Sequence, residues 1–136
     1  MSDGLVQETY EYMLAGARGA LQKGQSFMPF GAGIRLGGER IHVNLDAEAQ
    51  AKDVQDYIAA LVGALRKDRA LTCAGLCFDG AVAMENGDSV PAICMHIEIN
   101  GGESLEAFVP YVREPGGLAI MEPIFAPTDP EIFRHR

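Results

Sequence analysis

The sequence predicts an α+β fold: an antiparallel, meander-rich sheet in the order α-ββ-α-ββββ, with two helices packed on one face. Three observations carry this expectation. Two stretches repeat apolar residues at helical spacing, six alternate apolar and polar residues at strand spacing, and glycine-rich turns separate strands that would pair.

The first helix is expected over residues 3–23. Leu5, Val6, Thr9, Met13, Ala17, Ala20 and Leu21 recur every three or four positions, Ser2 or Asp3 can cap the start, and Gly24 is placed to end it. A hairpin follows, with Phe30, Ala32, Ile34 and Leu36 alternating before Gly37-Gly38 and Ile41, Val43 and Leu45 alternating after it. A two-residue turn there would oppose Ile34 to Ile41, Ala32 to Val43 and Phe30 to Leu45. The second helix is expected from Ala47 to Asp68, capped by Asp46. Ala51, Val54, Ile58, Leu61, Val62 and Leu65 lie on one side, with a Glu48–Lys52 pair outside.

Four strands should follow. Asn86-Gly87 would turn the first pair, opposing Leu76 to Ile97 and Phe78 to Met95. A three-residue loop of Asn100, Gly101 and Gly102 would oppose Ile97 to Leu105, Met95 to Ala107 and Ile93 to Val109. Gly116-Gly117 would turn the last pair, opposing Val109 to Ile124. The 136 residues suit a single domain, with 127–136 as a C-terminal tail. With 48% hydrophobic and 22% charged residues, such a chain can bury a core without metal or disulfide staples.

A formal net charge of −8 disfavours nucleic acid, because it repels phosphate and no basic stripe offsets it. Met1-Ser2-Asp3-Gly4 offers no basic or apolar leader, and the stretch from Tyr57 to Leu65 is far short of the ~20 residues of a membrane span. No signal peptide and no membrane contact are expected. Cys73 and Cys77 would stand roughly 13 Å apart on a strand, too far to bridge, so reduced thiols and a cytoplasmic location are expected.

Familiar catalytic motifs are missing, and Gly31-Ala32-Gly33 fails as a dinucleotide fingerprint because a strand turn follows it where a helix is needed. The expected registers do place Cys77 across from His96, Asp79 across from Cys94, and Glu106 on the other side of His96, with Glu98 two residues along. Thiol, imidazole and carboxylate together are the ingredients of a nucleophile or a zinc site. Flat neighbours on a sheet rarely converge on one metal, so the plainer reading is a half-buried polar face on which His96 bonds Glu106, with no metal and no cofactor. On that face Phe108 would oppose Phe125 and Val112 would oppose Met121, an aromatic patch that needs cover from a helix, from the tail around Ile132 and Phe133, or from a second copy. Arg35 opposite Arg40 would form an anion-binding pair on the first hairpin, unless each finds its own carboxylate.

Pro29-Phe30-Gly31, His96-Ile97-Glu98, Pro110-Tyr111 and Glu122-Pro123-Ile124-Phe125-Ala126 resemble the signposts of small uncharacterised bacterial α+β proteins, a likeness that implies a bacterial cytoplasmic protein. In size, acidity and class the chain is also similar to type III secretion chaperones, which are dimers that bind extended effector segments. It departs from them in having two strands between the helices and no third helix. The resulting expectation is a non-enzymatic, dimeric binding module. The alternatives are a chaperone or immunity-type protein with a protein partner, and a small Cys/His-dependent enzyme or metal protein.

Overall fold

A computed structural model describes residues 2–44 and 53–133. Helix α1 spans Ser2–Gln22 and ends as Gly24 turns to φ +78°: the Gly24 N–H bonds the Leu21 carbonyl at 3.0 Å and Gln25 bonds that of Ala20 at 3.2 Å. Strands β1 (Phe30–Arg35) and β2 (Arg40–Val43) follow, then helix α2 (Val54–Lys67). Asp53 is extended and its carboxylate accepts the Asp56 N–H at 2.9 Å, so α2 starts at Val54. The expected start at Ala47, the Asp46 cap and the Glu48–Lys52 pair lie outside the described residues. The chain continues through β3 (Leu71–Ala83), β4 (Ser89–Ile99), β5 (Ser104–Glu114), β6 (Gly117–Ile120) and β7 (Ile124–Pro127).

All seven strands form one antiparallel sheet, ordered β2-β1-β3-β4-β5-β6, with β7 also on β5. The fold is α+β in the expected order, with the last strand split in two by Met121-Glu122-Pro123. Pro123 has no N–H to offer a ladder.

The helices do not share a face. Met13, Ala17 and Leu21 of α1 pack with Phe30, Cys73, Cys77, Ile93, Met95, Ile97, Ala107 and Val109. Tyr57, Leu61 and Leu65 of α2 pack with Ala74 and Leu76 from the other side. The reason is β3, which is buried at every position from Cys73 to Cys77 and so needs a cover on both faces. Glycines let the helices come close. A methyl group on Gly75 would stand 2.7 Å from the Met13 Cε, and one on Gly31 would stand 3.2 Å from a Leu65 methyl.

Two hairpins differ from expectation by one residue. Arg35 accepts from Gly38 and donates to Glu39, making a three-residue loop of Leu36, Gly37 and Gly38, and Ile34 pairs with Arg40 instead of Ile41. Phe30 opposite Leu45 falls outside the described residues. Met84 accepts from Gly87 and donates to Asp88, so Glu85 joins Asn86 and Gly87 in the loop. Leu76 then pairs with His96, and Phe78 with Cys94. A one-residue slip exchanges the faces of a strand. The β4–β5 register is the expected one, with Ile97 opposite Leu105 and His96 opposite Glu106. The last turn centres on Pro115-Gly116, which pairs Tyr111 with Ile120 and Val112 with Ala119. After the break Phe108 pairs with Ile124.

Candidate functional site

Antiparallel pairing aligns side chains in rows across the strands, and two rows on the α2 face define the site. One runs Leu76, His96, Glu106, Ala126; the next runs Phe78, Cys94, Phe108, Ile124. Beside the first row lies Glu98, wholly buried at 0% exposure. A lone carboxylate at such a depth is costly unless hydrogen-bonded. Glu98 is bonded four times: to His96 Nε2, and to the backbone N–H groups of Glu131 (2.5 Å), Ile132 (2.8 Å) and Phe133 (3.0 Å). Burial by itself would raise this carboxyl. The bonds from His96 and the three backbone amides outweigh burial and hold it down at about 2.

Glu98 thus fastens the C-terminal tail. Ile132 and Phe133 insert beside Tyr57, Leu61 and Leu65, and the Arg66 Nε donates to the Glu131 carbonyl at 3.0 Å. Of the three covers considered for this face, α2 and the tail take the end bearing Leu76 and Glu98. Between α2, the sheet and the tail runs an open cleft of about 440 Å³. Ile58, Ala59 and Val62 wall one side, Leu76 and Phe78 form the floor, and Gln55, Arg66, His96, Glu106 and Glu131 supply the polar lining.

The structure brings His96, Glu98 and Glu106 together and separates them from Cys77. That thiol pairs in register with Met95 and lies buried under α1, with Thr9 bonding the neighbouring Cys73 Sγ at 3.3 Å. Asp79 sits across from Ile93 and accepts the Tyr111 hydroxyl at 2.9 Å, on the α1 side, so it does not face Cys94. Cys94 is on the α2 face but buried. Burial pushes all three thiols up, Cys94 to about 11, which is the reverse of thiolate activation. The expected Cys77–His96 juxtaposition therefore does not form, because the longer β3–β4 loop turns Cys77 to the other face. Among the described residues no group of three or more His, Cys, Asp or Glu is placed to hold a metal ion.

The expected aromatic pair is also divided. Phe108 stays on the α2 face, half-buried, beside Ile124. Phe125, 54% exposed, pairs with Ala107 and sits against Tyr10 on the α1 side, with ring centroids 5.6 Å apart. Val112 is exposed on the α2 face opposite Ala119, and Met121 lies in the break between β6 and β7. Arg35 and Arg40 are not opposed. Arg35 bonds Glu39 at 2.9 Å and Asp68 at 2.8 Å, while Arg40 bonds Glu8 at 2.7 Å and lies over the Tyr12 ring. Each has found its own carboxylate.

Sequence reasoning missed Glu98 as an anchor, because Ile97-Glu98-Ile99 reads as an ordinary strand with an outward carboxylate. The available signal was Ile132-Phe133, an apolar pair in a polar tail that had to dock somewhere. Compared with known protein families, curated proteins and solved structures, the chain matches none. No helix among the described residues is long and apolar enough to cross a membrane.

Proposed function

We propose that the chain is a non-catalytic binding module that pairs with a second copy of itself through the uncovered part of the α2 face. The observation that carries this reading is the row Phe78, Cys94, Phe108, Ile124. It crosses four strands, starting from Phe78 on the cleft floor and running out past α2 and the tail, with Val112 two rows further along. Ile124 and Val112 are 41% and 43% exposed, and the two phenylalanines are half-buried. Contiguous apolar surface of this kind marks a contact site, and two-fold pairing is the commonest way to cover it. A bacterial cytoplasmic setting belongs to the same proposal. The separation of Cys77 from His96 weighs against a small Cys/His enzyme.

Light scattering after size exclusion tests the pairing. The chain should run as a dimer at micromolar concentration, and Phe108→Glu, which sets a charge in the middle of the row, should run as a folded monomer. A monomeric parent would overturn the reading. A partner protein in place of the second copy is favoured by one separate observation, the net charge of −8, which suits a basic partner. Such a complex should weaken steeply as salt is raised.

A further inference from the structure

We propose that the cleft between α2, the β3–β5 surface and the tail is a binding site for a small organic cation: a protonated amine on an apolar body about the size of one aromatic ring. This inference concerns the covered end of the face and meets the pairing row at Phe78.

The cleft falls within the roughly 300–1,000 Å³ typical of small-molecule sites, and like them it combines apolar walls with a few convergent polar groups. Ile58, Val62, Leu76 and Phe78 can enclose a ring. The polar groups on the sheet side are His96 and Glu106, the latter a carboxylate acceptor. Among the described residues, Glu106 makes one hydrogen bond, a long one of 3.4 Å from the Thr128 hydroxyl, and no ion pair. His96, opposite it in register, is bound through Nε2 to Glu98. Glu98 adds no unmet charge, because three amides and His96 already surround it.

Among the described residues the one cation lining the cleft is Arg66, which directs Nε and Nη2 at the Glu131 carbonyl. An anionic ligand would therefore meet Glu106 with poor compensation, whereas an ammonium group would gain a charge-assisted bond in a half-desolvated setting. The same balance favours the amine over a neutral alcohol of equal shape.

Titration calorimetry with three probes of one shape tests this: 2-phenylethylammonium, 2-phenylethanol and phenylacetate. The ammonium should bind best, about tenfold tighter than the alcohol, which is the usual margin for one charge-assisted bond. Phenylacetate should bind worst. Glu106→Gln should reduce the ammonium to the level of the alcohol and leave the alcohol unchanged. Ala59→Phe, at an exposed helix position on the cleft wall, should block both. Circular dichroism and light scattering confirm that each variant keeps its fold and assembly, so a failure of pairing is read separately. Absence of saturable binding by all three probes overturns the proposal. So does phenylacetate binding as well as the amine, or an unchanged amine affinity in Glu106→Gln.

Discussion

Glu98 shows how one ionised group can be worth more buried than exposed. Its carboxylate replaces water with four donors, three of them consecutive backbone amides that carry the tail. Because its folded value lies near 2, below the ordinary 4.5, its contribution is complete above pH 4.5 and disappears as the pH falls toward 2. The difference corresponds to about 3 kcal/mol at neutral pH. Glu98→Gln should therefore lower stability by about that amount at pH 7. The gap between variant and parent should close in acid, as read from urea melts at a series of pH values. A constant gap across the range would show that shape, not charge, is what Glu98 supplies.

At the scale of elements, the tail and the hairpin loops behave differently. The described part of the tail after β7, residues 128–133, has no regular structure and is held by Glu98 and by the burial of Ile132 and Phe133. Phe133→Ala should cost about 3 kcal/mol locally. Amide exchange at Glu131 and Ile132 should accelerate, while that of Met95 and Ile97 in the sheet should hardly change. Equal acceleration in both places would mean that tail and sheet open as one unit. What could be read in the sequence follows the same division. Helix α1 and the β4–β5 hairpin were legible, because periodicity, Gly24 and the Asn100-Gly101-Gly102 loop specify them locally. The β1–β2 and β3–β4 registers were not, because Gly37-Gly38 and Asn86-Gly87 suit two-residue turns and nothing nearby announces that Leu36 and Glu85 join the loops. The His96–Glu106 pairing in the site was therefore visible and the true position of Cys77 was not. The tail's place depends on contacts more than thirty residues away, such as Glu98 to Phe133, which no local pattern encodes.

For the whole molecule, burial on both faces of β3 makes a three-layer body whose cysteines are all inside. A thiol reagent should label the native protein slowly, and all three sites should react together once the chain unfolds. Cys94, which lies within the proposed contact row, should be the first to react in the monomeric Phe108→Glu variant. Its labelling rate in the parent should fall as protein concentration rises. A rate independent of concentration would place the contact surface elsewhere.

The two margins of the sheet bear on how copies of this chain can meet. One margin is β2, only four residues long; the other is β6 and β7, four residues each and parted at Pro123. Short, interrupted margins of this sort give an incoming strand little to hydrogen-bond, a familiar safeguard against open-ended growth. Association across the flat of the sheet closes on itself after two copies, whereas association along its rim would not. If copies pair through the apolar row as proposed, these short margins would favour a finite assembly over a fibre.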